Sequence, residues 1–163
     1  MYTYVIIDDE PLIRRGTKKK LEPLSHLLTC CGEASDGREG LELVRQLKPD
    51  IVILDMQMPV MDGTELLPAL SEEFPSTALI VISGFQNFDY MKQAISSKVI
   101  DYILKPFSKD EIQQTVLKTI DSLKDKEAED HHLTSMVQEK EEAFYSLDLK
   151  LLTDFLLGYT DTA

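Results

Sequence analysis

The sequence predicts a doubly wound α/β fold built on five parallel strands. Short, strongly apolar runs alternate with segments of helical periodicity five times in about 120 residues, and the turns between them are short. The run IVILD at 51–55 is apolar up to its last residue, which is typical of a parallel strand covered on both faces. The expected strands lie at 2–7, 27–33, 51–55, 78–82 and 100–104.

The first two strands lead into helices with recognisable starts and stops. After the first strand, Pro11 stands where a helix begins, because proline is favoured at the first helical position. The inward face of this helix is weak and consists of Leu12, Ile13, Gly16 and Leu21. After the second strand, the sequence DGRE at 36–39 has the pattern of a capping box, and Pro49 ends the second helix.

The later helices follow the same scheme. Asp62 and Gly63 start a third helix that runs to Glu73 and contains Pro68, although an interior proline removes a helical hydrogen bond. The sequence SKDE at 108–111 is a second capping-box pattern at the start of the fifth helix. Phe88, Met91, Ala94 and Ile95 are expected to mark one face of the fourth helix. The expected inward residues of the fifth helix are Ile112, Val116, Ile120 and Leu123.

Composition limits the classes of function. The chain has 163 residues, of which 43% are hydrophobic, enough for one domain with a core and an additional segment. Its formal net charge of -12 argues that these residues do not form a nucleic-acid surface. No apolar run approaches the roughly 18 residues of a membrane span, and we expect a cytoplasmic protein. Cys30 and Cys31 should face opposite sides of a strand, so we expect two reduced thiols.

Polar side chains end or follow four of the predicted strands: Asp8, Asp9, Asp55, Ser83 and Lys105. Because the carboxyl ends of parallel strands meet at one edge, these groups should share a rim of the sheet. Neighbouring carboxylates repel unless a cation neutralises them, and Mg²⁺ prefers oxygen ligands while leaving positions open for a phosphate. A lysine and a hydroxyl can bind the other oxygens of a phosphoryl group. Taken singly, each residue is also explained as an ordinary polar turn or strand end.

The motifs VIIDDE at 5–10, ILDMQMPVMDG at 53–63 and DYILKPF at 101–107, with a fourth strand ending in Ser83, resemble the receiver domain of two-component response regulators. The resemblance covers residues 1–125 and implies a flavodoxin-like (βα)5 fold with Asp55 as the phosphoacceptor. It assigns Mg²⁺ to Asp8, Asp9, Asp55 and the main-chain carbonyl of Gln57. It assigns the phosphoryl group to Ser83 and Lys105, and Tyr102 to the position of an aromatic switch. The Lys105–Pro106 bond is a candidate for a cis peptide.

By the same resemblance, the expected partner is a sensor histidine kinase whose phosphohistidine donates the phosphoryl group to Asp55. The new charge would attract Ser83 and let Tyr102 turn inward. This changes the surface of the fourth helix, fifth strand and fifth helix, a common dimerisation face in this family. The protein is not expected to be an enzyme, apart from slow hydrolysis of its own aspartyl phosphate.

Residues 126–163 are expected to form a helical linker or dimerisation segment. The charged run KDKEAEDHH at 124–132 interrupts the apolar stripe, which resumes at Leu133 and is strong from Leu147 to Leu156. Such a face needs a second copy or a following domain. The sequences SGFQNFDYMKQAI at 83–95 and LLTDFLLG at 151–158 resemble the subgroup with an AraC-type DNA-binding output domain. We therefore expect a transcription regulator that binds DNA only through an output domain missing from this chain; a stand-alone receiver with a dimerising tail is the alternative.

Two other functions compete with this interpretation. Phosphatases of the haloacid dehalogenase type also use a nucleophilic aspartate, but they carry a second aspartate two residues later, where this chain has Gln57. Turnover of external phosphate esters is therefore not expected. The other alternative is a pseudo-receiver that only binds a partner; the intact acidic pair, Ser83 and Lys105 argue against it.

Overall fold

The computed structural model describes residues 1–158, and within them the strands form one five-stranded sheet. The strands are β1 (Tyr2–Ile7), β2 (Leu28–Ala34), β3 (Ile51–Asp55), β4 (Ala78–Ser83) and β5 (Asp101–Leu104). All neighbouring strands are parallel, in the order β2-β1-β3-β4-β5. The predicted doubly wound sheet is confirmed, and its winding changes direction between β1 and β3, where such sheets bind ligands.

Each strand is followed by a helix. The helices are α1 (Pro11–Leu21), α2 (Gly37–Leu47), α3 (Gly63–Glu73), α4 (Phe88–Ser96) and α5 (Lys109–Gly158), with a short 3-10 turn at Glu22–Leu24. All residues of β3 and β4 are buried, which explains their continuous apolar runs. Gly40 lets α2 approach β1 closely, because a Cβ at this position would lie only 2.5 Å from Ile7 Cδ1.

The start of α5 follows the sequence closely. The Ser108 amide donates to Glu111 Oε2 at 2.7 Å, and the Glu111 amide donates to Ser108 Oγ at 3.1 Å. This reciprocal pair is the predicted capping box. The four residues of the predicted inward stripe, Ile112, Val116, Ile120 and Leu123, are all buried.

The first predicted capping box is only half formed. Asp36 Oδ1 accepts from the Glu39 amide at 2.9 Å and caps α2 as expected. The Glu39 carboxylate bonds the amide and hydroxyl of Ser35 instead of returning to the Asp36 amide. Pro68 lies inside α3 on an exposed position, where water can reach the carbonyl that an interior proline leaves without a helical partner.

The apolar face predicted for α4 is not the face that packs on the sheet. Ala94 is buried, but Phe88 is 80% exposed, Ile95 is 75% exposed and Met91 is exposed as well. The packed face is instead formed by Tyr90, Gln93 and Ala94, and by Ser97 just after the helix. The 3.6-residue period predicts one apolar face, whereas the packed face includes the half-buried Tyr90 and, just after the helix, the hydrogen-bonded Ser97.

The inward face of α1 also differs from the prediction. Leu12 is 75% exposed, while Thr17 is buried together with Leu21. Threonine can occupy such a position because its methyl group packs like that of an apolar residue. The apolar pattern of α1 is therefore weak because one of its buried positions is occupied by Thr17, a polar residue.

The chain divides into two compact units, Met1–Asp121 and a unit that begins at Ser122. The second unit is helical as far as Gly158, and every side chain from 124 to 153 is exposed. Within the described residues, no helix combines the length and the apolar character needed to cross a bilayer.

Candidate functional site

Three strand ends place predicted site residues at the carboxyl edge of the sheet. Asp8 follows β1, Asp55 is the last residue of β3, and Lys105 follows β5. Lys105 is 97 residues from Asp8 and 50 from Asp55 along the chain. Its Nζ nevertheless lies 2.8 Å from Asp8 Oδ2 and 3.0 Å from Asp55 Oδ2. The parallel arrangement of the strands therefore assembles this cluster.

Lys105 is a largely buried cation. Its side chain is 12% exposed, and those of Asp8 and Asp55 are 3% and 6% exposed. Burial lowers the pKa of Lys105, but the hydrogen bond to Asp8 and the charge of Asp55 outweigh it and hold the pKa above its ordinary value. The Lys105 amide donates to the Ser83 carbonyl at 2.8 Å, and the Lys105–Pro106 peptide bond is cis.

The Asp55 carboxylate is held on both oxygens. Oδ2 accepts from Lys105, and Oδ1 accepts a long hydrogen bond of 3.3 Å from the Gln57 amide. Burial raises the pKa of Asp55, and the charge and hydrogen bond of Lys105 oppose this rise only in part. The carboxylate is thus poorly solvated and close to a fixed cation, an environment that suits a nucleophile for a negatively charged group.

Four acidic residues converge at this edge. Carboxylate oxygens of Asp8, Asp9, Glu10 and Asp55 all lie within 4.8 Å of one another. Hard divalent cations prefer such oxygen donors, so the donor set fits Mg²⁺. The sequence prediction named Asp8, Asp9 and Asp55 but missed Glu10. The signal was present, because Glu10 ends the same acidic trio.

Glu10 is tied to the cluster by two contacts. Its amide donates to Asp8 Oδ1 at 2.9 Å, and its Oε1 lies 3.4 Å from Lys105 Nζ. A second residue absent from the prediction, Arg14, donates from Nη1 to the Asp8 main-chain carbonyl at 2.6 Å. The β1–α1 turn is therefore fixed both by its own backbone and by a residue one helical turn onward.

Ser83 and Tyr102 meet at a common neighbour, Phe85. The Phe85 amide donates to Ser83 Oγ at 3.3 Å, and the Tyr102 hydroxyl donates to the Phe85 carbonyl at 3.0 Å. Ser83 is fully buried, and Tyr102 is half-buried. Both predicted residues therefore form hydrogen bonds with the loop between β4 and α4.

An open pocket of roughly 520 Å³ lies at this edge of the sheet. Its lining includes Asp9, Glu10, Asp55, Gln57, Phe85 and Lys105. Gln57 also reaches α4, where its Nε2 lies 3.4 Å from the Tyr90 hydroxyl. The pocket thus combines acidic oxygens, one cation and the two loops that follow β3 and β4, which suits a small anion bound together with a metal ion.

The model of the response regulator receiver domain matches residues 4–117. This chain belongs to that family. The match covers the sheet except for the first two residues of β1, and it includes every residue of the candidate site. Receiver domains are phosphoacceptor regulators of two-component systems that bind Mg²⁺ at an acidic pocket, and this chain has a cluster of acidic residues at the edge described above.

Two curated relatives and one solved structure illustrate the match. The chain is 38% identical over 124 residues to the uncharacterized transcriptional regulatory protein YesN of Bacillus subtilis, covering 76% of this chain and 34% of YesN. It is 37% identical over 106 residues to the transcriptional regulatory protein HptR of Staphylococcus aureus, covering 65% of this chain and 41% of HptR. The chain thus spans between a third and a half of the length of these relatives.

The solved structure is the receiver domain of AraT, a response regulator from Geobacillus stearothermophilus. It superposes with a TM-score of 0.72 at 33% identity, covering 77% of this chain and 98% of that domain. The five-stranded fold is therefore the receiver fold.

Proposed function

We propose that this chain is a phosphorylation-controlled receiver that accepts a phosphoryl group on Asp55 from a sensor histidine kinase. A carboxylate oxygen of Asp55 attacks the phosphorus of the phosphohistidine, the P–N bond breaks, and the imidazole leaves with its electron pair. The product is an aspartyl phosphate. The observation that carries this proposal is the buried Asp55 carboxylate, which contacts Lys105 and lines an open pocket.

The residues that would hold Mg²⁺ are Asp8, Asp9, Asp55 and the main-chain carbonyl of Gln57. When bound, the ion neutralises charge on the transferring phosphoryl group. The support is the convergence of the acidic oxygens within 4.8 Å. Glu10 belongs to the same cluster and adds a carboxylate that can bind a water molecule or the ion itself.

Lys105 and Ser83 bind the phosphoryl oxygens in this proposal. Lys105 is already in contact with Asp55, so its ammonium needs little movement to contact a group attached there. Ser83 Oγ now accepts from the Phe85 amide and would donate to a phosphoryl oxygen instead. Tyr102 also bonds Phe85, so a shift of this loop changes the environment of the tyrosine. Tyr102 is therefore the proposed switch residue.

The proposed role of the protein is control of transcription. The curated relatives include transcriptional regulatory proteins more than twice as long as the matched region. We assign residues 1–125 to the receiver and 126–163 to a linker that is helical as far as Gly158; residues 159–163 lie outside the described residues. An AraC-type output domain that binds DNA is proposed to follow this linker. The protein acts in the cytoplasm as a homodimer, formed through the α4–β5–α5 face or through the C-terminal helix. Its only turnover is slow hydrolysis of its own aspartyl phosphate.

The test is intact mass spectrometry after incubation with a small phosphodonor such as acetyl phosphate. The expected gain is the mass of one phosphoryl group for the wild type with Mg²⁺, and none for Asp55→Ala or in chelator. Asp62→Ala is the matched control, because Asp62 is a helix cap outside the cluster and its loss should leave the gain intact. Equal gain in wild type and Asp55→Ala, or no gain under any condition, would overturn the proposal.

A further inference from the structure

The helical extension carries an apolar stripe on exposed positions. Its members alternate in spacing between four and three residues: Leu133, Val137, Lys140, Phe144, Leu147 and Leu151. Each successive pair of spacings adds up to seven residues, which is the heptad repeat of a helix that packs along another helix. The stripe therefore fits a helical partner that runs beside it.

A shallow cavity of about 360 Å³ lies in the middle of this stripe. It is lined by Val137, Lys140, Glu141, Phe144 and Tyr145. The first four occupy positions i, i+3, i+4 and i+7 of the helix, the arrangement that forms a hole for one side chain of a facing helix. Its walls are largely aliphatic and aromatic carbon, and the polar groups of its lining residues are the Lys140 ammonium, the Glu141 carboxylate and the Tyr145 hydroxyl. An aromatic side chain fits best, because its ring face attracts the cation.

Lys140 is the one charged member of the stripe, and it decides the direction of a partner helix. In a parallel pair in register, Lys140 would face Lys140 of the second copy, and like charges would meet at the seam. In an antiparallel pair, the same stripe can be aligned so that every layer is apolar or pairs the lysine with an aromatic ring. The facing residues are then Leu133 with Leu151, Val137 with Leu147, and Lys140 with Phe144.

We propose that a second copy of this chain covers the stripe in an antiparallel two-helix coiled coil. Phe144 of each copy fills the hole beside Lys140 of the other. The pattern is self-complementary, because each of the three facing pairs occurs twice around the two-fold axis. This rests on the homodimer of the proposed function and selects the C-terminal helix as its interface; it does not depend on phosphorylation of Asp55.

Charge distinguishes a second copy from an unrelated basic partner. Acidic residues outnumber basic residues between 124 and 153, so two copies of the segment repel each other through water. Added salt screens this repulsion and therefore strengthens self-association. A basic partner would be attracted by the same charges, and its binding would weaken in salt.

The first experiment is sedimentation equilibrium of the full chain, with Phe144→Asp and the matched control Leu149→Asp. Phe144 and Leu149 are 65% and 68% exposed on the same helix, but Leu149 lies outside the stripe. We expect a mass twice the 18.5 kDa of one chain, and tighter association at high salt. Phe144→Asp should raise the dissociation constant about tenfold or more, and Leu149→Asp should change it less than about twofold. Circular dichroism of both variants checks that the helix is retained.

The second experiment determines the direction of the helices. In a Cys30→Ser, Cys31→Ser background, one copy carries Leu133→Cys and a second, longer-tagged copy carries Leu151→Cys. Oxidation of the mixture should give the mixed disulfide, whereas Leu133→Cys alone should not cross-link to itself. A disulfide between two copies of Leu133→Cys would overturn the antiparallel pairing.

A wild-type chain that stays monomeric at all protein and salt concentrations would overturn the self-pairing, as would equal sensitivity to Phe144→Asp and Leu149→Asp. The variant Asp55→Ala tests whether dimer formation is independent of the proposed phosphorylation. The variant should fail to gain a phosphoryl group and should still form the dimer.

Discussion

Replacing Lys105 by methionine tests how strongly the site depends on its buried cation. The ammonium is 2.8 Å from Asp8 Oδ2 and 3.0 Å from Asp55 Oδ2, and the three side chains are 12%, 3% and 6% exposed. Removing one partner from a buried ionic cluster costs about 3–5 kcal/mol, because the remaining charges stay buried without a counter-ion. Asp55 can relieve part of this cost by taking up a proton, since burial already raises its pKa. We therefore expect a loss of about 3 kcal/mol in the free energy of unfolding.

The assay is urea unfolding of wild type and Lys105→Met in chelator, repeated in Mg²⁺. The loss should lower the midpoint by about 1–2 M urea in chelator and by less in Mg²⁺, because a bound cation replaces the missing charge. Lys18→Met is the matched control. Lys18 pairs with Glu33 at 2.6 Å, but both side chains are more than a third exposed, and such pairs contribute less than about 1 kcal/mol. Equal losses of unfolding free energy for the two variants in chelator would show that the buried cation stabilises the protein no more than a surface lysine. If Mg²⁺ has no effect on the stability of Lys105→Met, the ion does not replace the missing charge.

Three further predictions concern packing, capping and the thiols. Gly63→Ala should destabilise the protein by about 1–3 kcal/mol, since the new Cβ would lie 2.7 Å from a backbone atom. Gly16 lies within α1 with open space around it, so Gly16→Ala should stabilise the protein by about 0.5–1 kcal/mol. Urea unfolding of both variants measures the two changes in free energy of unfolding, and changes of the same sign would contradict the prediction. Ser108→Ala should cost about 1 kcal/mol in the same assay, because it removes the cap of α5, and no loss would mean that the cap contributes nothing. Burial raises the pKa of Cys30 and of Cys31, so both thiols should react with a thiol reagent more slowly in the folded protein than in urea near pH 8. The difference in reaction rate between folded and unfolded protein should become smaller as the pH rises toward the raised pKa values of the thiols. Equal rates at pH 8 would contradict this prediction.

Much of the fold could be predicted because buried parallel strands leave a strong signal. The apolar runs at 51–55 and 78–82 lie within one residue of β3 and β4, and the polar residues that end or follow the strands mark one edge of the sheet. The contact of Lys105 with Asp8 follows from this topology, although 97 residues separate them. The roles of these residues in phosphorylation remain predictions.

Helix phase was harder to predict than helix position. The sequence places α4 correctly and puts Phe88 and Ile95 on one apolar face, but the structure exposes both residues and buries Ser97. A short helix needs only a narrow packed face, and a hydrogen-bonded serine can be part of it. Glu10 was missed for a related reason. Its membership of the acidic cluster depends on the path of the β1–α1 turn, which residue types alone do not define.

The most direct test of the central claim is to locate the phosphoryl group on the chain. Borohydride reduces an aspartyl phosphate to homoserine, so the phosphorylated protein can be reduced, digested and sequenced by mass spectrometry. We expect homoserine at position 55, only in samples that received phosphodonor and Mg²⁺. Homoserine at another aspartate, or none at position 55 in a protein that has gained a phosphoryl group, would contradict the assignment of Asp55 as the phosphoacceptor.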